Sequence, residues 1–216
     1  MKKLVLFLSL SLFSFLANAT ELVSLIQTHQ ADRGALGRLY TNRLSGEYFT
    51  RMESFNRDYL KTLQAQNYGA LSEDGKIDYV LFRNYLEKQL AELDLEKRDF
   101  MQIQSVIAFG KPLEAFVVGR RRAVQPNAQA LAAQWNQVAQ ALDSQHKALA
   151  TSSKYDSWQK AELAAQAVEN LGKVVKESYD FYFDFDPSFT WWMPAPWETL
   201  DASMKAYTKA LRAHYT

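Results

Sequence analysis

The chain contains no cysteine among its 216 residues. That excludes disulfide staples, thiolate metal sites and a lipid-modified cysteine behind an export signal. Histidine is scarce too: His29, His146 and His214 stand far apart. A helical zinc hydrolase sets two histidines four residues apart with a glutamate beside the first, so that one face presents metal and general base together. No such string occurs, and the expectation for all three histidines is an ordinary surface or helix-capping position, with distant convergence in the fold as the alternative. A serine nucleophile elbow, a glycine-rich phosphate loop and a cysteine nucleophile are equally absent. Net charge is small as well, with 25 basic against 24 acidic residues. No nucleic-acid partner is expected, since that calls for a strongly basic face.

What is present begins with a three-part N-terminus. Lys2 and Lys3 precede the apolar stretch Leu4 to Leu16, and Ala17-Asn18-Ala19 supplies small residues for cleavage before Thr20. Residues 1–19 are therefore expected to be a secretory signal peptide. The stretch is interrupted by three serines. As a helix it would rise only about 20 Å, short of the roughly 30 Å hydrocarbon core of a bilayer. Removing Lys2 and Lys3 leaves 23 of the 25 basic residues against 24 acidic ones. A periplasmic or secreted protein is expected, with no transmembrane segment after cleavage.

Residues 20–216 are expected to form one helical domain, because apolar residues recur at helical spacing almost throughout and no alternating strand pattern stands out. The fold class is all-α, a bundle of about six to seven helices. Leu22, Leu25, Ile26 and later Leu36, Leu39 and Tyr40 fit one or two short helices loosened at Gly34 and Gly37. Glu47 to Gln66 forms a second, broken by Asn67-Tyr68-Gly69. Ser72, followed by Glu73 and Asp74, opens a long third helix. Its two apolar stripes, Tyr79-Phe82-Leu86-Leu93 and Ile77-Leu81-Tyr85, predict contacts on both sides. Pro112 begins a shorter segment, and Gln125-Pro126 the entry to a helix carrying Leu131, Trp135, Val138 and Leu142. The next runs from about Ser157 to Phe183, and Pro196 fits the first position of the last.

The densest feature lies between those last two helices. Nine aromatic residues occupy the nineteen positions from Tyr179 to Trp197, too much ring for a solvated loop. Burying each would be worth roughly 1.5–3 kcal/mol, so the run must face a core, a partner or a ligand. Phe185, Asp186, Phe189, Trp191, Trp192 and Trp197 are its candidate binding or interface residues. Phe181, Phe185, Phe189, Trp191 and Trp192 are expected to pack a helix corner or dock an additional region rather than hold a cofactor. Asp180, Asp184 and Asp186 among the rings could bind a cation, or form a polar edge with Asp186 capping a turn before Pro187. Arg120, Arg121 and Arg122 could grip a carboxylate or phosphate, or complement a helix C-terminus from solvent.

Three ordered strings carry a resemblance. These are Tyr48-Phe-Thr-Arg-Met-Glu-Ser-Phe-Asn-Arg-Asp-Tyr59; Leu71-Ser-Glu-Asp-Gly-Lys-Ile-Asp-Tyr79 leading into Leu81 and Asn84-Tyr-Leu86; and Phe185-Asp-Pro-Ser-Phe-Thr-Trp-Trp192 with the helix behind Pro196. Together they resemble the N-terminal part of domain of unknown function family 885, a bacterial family of mostly helical, often exported proteins. Its members look like zinc metallopeptidases, in which a later helix bears a His-Glu-x-x-Pro-Gly-His-His string. That string does not occur here, so no catalytic residue and no metal ligand carries over, and zinc is implied only for full-length members. The resemblance implies a non-catalytic region, inactive alone, from a truncated or split gene, whose partner would be a separately encoded C-terminal region. The alternative is a free-standing periplasmic module that binds a peptide or protein along the aromatic run.

Overall fold

The computed structural model describes residues 22–153, 155 and 157–214. The signal peptide expected at 1–19 lies outside them. The described chain is all-α, with no strand among these residues. It divides into two compact units, the first comprising 22–38 and 49–95 of the described chain, the second built from Leu39–Tyr48 and the residues from Glu96 onward.

In the first unit, helix α1 (22–39) packs with α2 (Gly46–Gln64) and the first part of α3 (Glu73–Ile103). Of the one or two helices expected here, loosened at Gly34 and Gly37, the chain forms one, and α1 is continuous through both glycines. Each glycine costs about 1 kcal/mol in a helix interior, but anchors upstream of both hold the helix. Leu22, Leu25 and Ile26 join a small core with Leu63, Phe82 and Leu86, and Arg33 donates to the Tyr85 hydroxyl and to Gln89. Helix α2 buries Phe49, Met52, Phe55 and Leu63 along one stripe. At the start of α3 the Ser72 hydroxyl accepts from the Gly75 amide at 3.1 Å. Its Phe82, Leu86 and Leu93 are buried, but Ile77 and Leu81 of the second stripe are exposed. Those two lie about 100–180° around the helix from Phe82 and Leu86, and the partners that cover one side of α3 do not reach them.

The second unit holds the larger core. After α3 the chain tightens into a 3-10 segment, Gln104–Gly110, then continues as α4 (Lys111–Arg121), α5 (Ala128–Leu149), α6 (Trp158–Phe183), α7 (Pro187–Trp192) and α8 (Pro194–Ala213). Helix α8 lies against both α5 and α6, α4 against α6, and α7 against α5. Ala161, Ala164, Ala165 and Ala167 give α6 a small-residue face that is fully inside, and Trp135, Leu142, Val168, Leu171, Leu200 and Leu211 fill the space between helices. Caps fix the entries: Asn127 accepts from the Ala130 amide and Ser157 from the Lys160 amide. Helix α7 was not expected. Asp186 caps it and Pro187 opens it, and Pro194 rather than Pro196 begins the last helix. A proline suits a first helical turn because its missing N–H would have no partner there.

Candidate functional site

The aromatic run is divided by the α6–α7 corner into an inner and an outer set of rings. Phe189 is fully buried, with ring centroids 6.1 Å from Phe116, 5.5 Å from Tyr179 and 5.3 Å from Tyr182. Trp197 is half-buried, stacked on Tyr179 at 5.2 Å and tilted against Trp135 at 5.9 Å. The Tyr182 hydroxyl donates to the Val124 carbonyl at 3.1 Å, which pins the end of α6 to the loop after α4.

The outer set points away from that core. Phe185 is 83% exposed and Trp191 81%, with Phe181 at 50% and Trp192 at 41%. Of the two expectations for these rings, packing a corner or docking an additional region, packing describes Phe189, while these four stand outside that core. Phe181 lies on the face of α6 away from Tyr179 and Tyr182, which turn to the core, and Phe185, in the turn after α6, stacks on Phe181 at 6.2 Å. Trp191 follows Phe189 by two positions in one short helix, about 160° around it, so burying Phe189 carries Trp191 outward. Asp186 makes the corner by accepting from the Ser188 and Phe189 amides at 2.9 and 3.1 Å, and its other oxygen accepts from Gln125 at 2.7 Å. Asp180 pairs with Lys176 at 2.6 Å. Asp184 is exposed at the C-terminal end of α6, and Asp186 caps the start of α7.

The arginines do not converge on one point. The Arg120 guanidinium lies over the Phe181 ring, 4.9 Å from its centroid. Its Nε is buried with no hydrogen-bond partner among the described residues. Burial first, and the neighbouring Arg121 second, lower its pKa from the ordinary value. Arg121 is exposed. Arg122 turns to the 39–48 segment, donating to the Tyr40 hydroxyl at 3.3 Å and lying 3.9 Å from Glu47. Arg120 alone thus joins the aromatic corner, in a cation–π arrangement.

Two of the three histidines share a cleft of about 630 Å³ at the C-terminal ends of α5 and α8, lined by Asp143, His146, Leu149, Ser152, Ala210 and His214. His214 Nε2 is 2.7 Å from the Ser153 carbonyl oxygen. Among the described residues no group of three or more histidine, aspartate or glutamate side chains is placed to hold a metal ion. His29 departs from the surface position expected of it: it is 1% exposed, in the core of the first unit. Its place seven residues after Leu22 and three after Ile26 puts it on the buried stripe of α1. Among the described residues no helix is long and apolar enough to cross a membrane.

No protein-family model, curated protein or solved structure matches the chain.

Proposed function

We propose that the chain is an exported, non-catalytic helical module, the counterpart of the N-terminal region of domain of unknown function family 885, which docks a separate polypeptide through its aromatic corner. A separately encoded catalytic region is the partner that the resemblance implies. One observation carries the docking reading: Phe185 and Trp191 stand more than four-fifths exposed beside a fully buried Phe189. Phe181 and Trp192 of the same segment are exposed as well, and several large rings left in water on one short stretch of chain suit a docking surface. The outer rings stand out from a helix corner and none of them lines the histidine cleft. They suit insertion as anchors into a partner's apolar pocket, where Trp and Arg contribute disproportionately to binding. Export is supported by Lys2, Lys3, the apolar stretch to Leu16 and Ala17-Asn18-Ala19.

Selection from a displayed peptide library tests the docking reading. Peptides enriched on the wild-type protein should lose at least about tenfold in affinity for a Phe185→Ala/Trp191→Ala variant, the loss expected when two anchor rings are truncated. Binding that is equal in the two proteins would reject the corner as the docking site. N-terminal sequencing of the exported protein should begin at Thr20.

A further inference from the structure

His29 is enclosed by four rings. Phe55 stacks on it at 4.9 Å, and Tyr59, Phe82 and Tyr85 meet it at 4.8, 5.2 and 5.6 Å, each nearly perpendicular. Asn56 donates its amide hydrogen to the Met52 carbonyl, which leaves its own carbonyl oxygen as the hydrogen-bonding neighbour of the imidazole. The Nε2 atom has no hydrogen-bond partner among the described residues. Beside the apolar contacts of Leu22, Leu25 and Ile26, exposed side-chain hydrogen bonds tie α1 to its neighbours near this ring. The Tyr59 hydroxyl donates to Asp32 at 2.7 Å, and Arg33 donates to the Tyr85 hydroxyl and to Gln89 at 2.8 Å.

A neutral imidazole tolerates this box, because one nitrogen has Asn56 and the other forgoes only an acceptor role. An imidazolium does not. It carries two N–H donors and a charge, and the ring is 1% exposed with Asn56 as its hydrogen-bonding neighbour and Nε2 facing no acceptor among the described residues. The Phe55 face would attract a charged ring, but it replaces none of the hydrogen bonds that water gives an imidazolium. The titratable and charged groups facing the ring are Asp32 and Arg33 on its own helix, Tyr59 on α2 and Tyr85 on α3. Of these side-chain types, imidazole alone normally titrates between about pH 5 and pH 8.

We propose that His29 is an acid-sensitive latch, which holds helix α1 on α2 and α3 while its ring is neutral and releases it when the ring is protonated. Burial is the foremost cause lowering the His29 pKa from its ordinary 6.5, with Arg33 acting in the same direction and Asn56 and Asp32 opposing. A folded pKa below the unfolded one means that the latch's contribution is fully present above 6.5 and is lost as pH falls through the folded value. Each tenfold depression of the proton affinity makes opening about tenfold more favourable once the ring is fully protonated.

Hydrogen exchange on the whole protein tests the latch. After correction for intrinsic rates, amides of 22–39 should exchange roughly tenfold faster at about pH 5 than at about pH 7.5, while those of α5 and α8 stay unchanged. In a His29→Gln variant, which cannot titrate, the pH dependence in α1 should vanish. The imidazole resonances of the wild-type protein give a second reading that needs no altered residue at the site. With His146→Gln and His214→Gln used only for assignment, the His29 signal should titrate below 6.5. A His29 resonance titrating at or above 6.5, α1 exchange that does not change with pH, or acceleration that persists in His29→Gln would each overturn the proposal.

Discussion

Asn42 donates a 3.0 Å hydrogen bond to the Glu114 carboxylate, where the 39–48 segment meets α4. Asn42 is buried. Burial pushes the Glu114 carboxyl up to about 7, with Glu47 adding to the rise and Asn42 and Lys111 opposing it. The folded protein therefore keeps a proton that the unfolded chain releases near 4.5. Stability from this site is fullest below that value, falls as pH rises toward about 7, and levels off above it. The total loss is on the order of 3 kcal/mol at most. Glu114→Gln should flatten the slope in this window and stabilise the second unit at pH 8 relative to wild type. Urea unfolding followed by tryptophan fluorescence measures it directly, because all five tryptophans lie in that unit. An unchanged slope would show that Glu114 titrates as an exposed carboxyl does.

Gly110 is a glycine because of space, not backbone angle. Its φ of −73° suits any residue, but a Cβ there would stand 2.6 Å from Leu171 Cδ2, in the core. Gly110→Ala should cost about 1–3 kcal/mol through overpacking. Leu171→Ala alone should cost about 2–5 kcal/mol by leaving a cavity. Since the added methyl enters the space the leucine vacates, the double variant should fall short of the summed costs by about 1 kcal/mol or more. Additive costs in thermal or urea unfolding would mean that Leu171 moves aside freely.

How far the sequence foretells this molecule differs from residue to residue. The span of α6 follows from its Ser157 cap and apolar stripe, and that of α2 from Phe49, Met52, Phe55 and Leu63, since local capping and periodicity decide both. Periodicity marks an apolar face without saying whether anything covers it. Ile77 and Leu81 continue a stripe just as Phe82 and Leu86 do, yet remain in solvent. The aromatic run fails in the same way, because density of rings cannot separate Phe189 inside from Trp191 outside. The cue that was there is the Asp186-Pro187 pair, whose cap and fixed φ start a new helix and so set which ring turns inward. His29 was overlooked as a polar residue, although its register with Leu22 and Ile26 placed it among the buried positions.

Asp186 should be more important for the corner than its exposed neighbours. It satisfies two amides that would otherwise lack partners at the start of α7. Asp186→Ala should destabilise the protein by about 1 kcal/mol, and Asp186→Asn, which keeps an accepting oxygen, by a few tenths. Faster hydrogen exchange at the Ser188 and Phe189 amides in Asp186→Ala, and not in Asp186→Asn, would locate the loss in the cap. Equal costs for the two substitutions would point instead to the negative charge.

The clearest test of the corner is to compare rings only two positions apart. Phe189 touches Phe116, Tyr179 and Tyr182 in the core, so Phe189→Ala should cost about 3–5 kcal/mol. Trp191, at 81% exposure, has little to lose on truncation, and Trp191→Ala should stay within about 0.5 kcal/mol of wild type. The same variant, combined with Phe185→Ala, should lower the binding of an apolar dye, since those are the two most exposed rings of the corner. Stability and surface binding thus part company within one short helix. If Trp191→Ala instead costs as much as a core truncation, the ring is packed within the protein itself, and the docking role assigned to this corner falls with it.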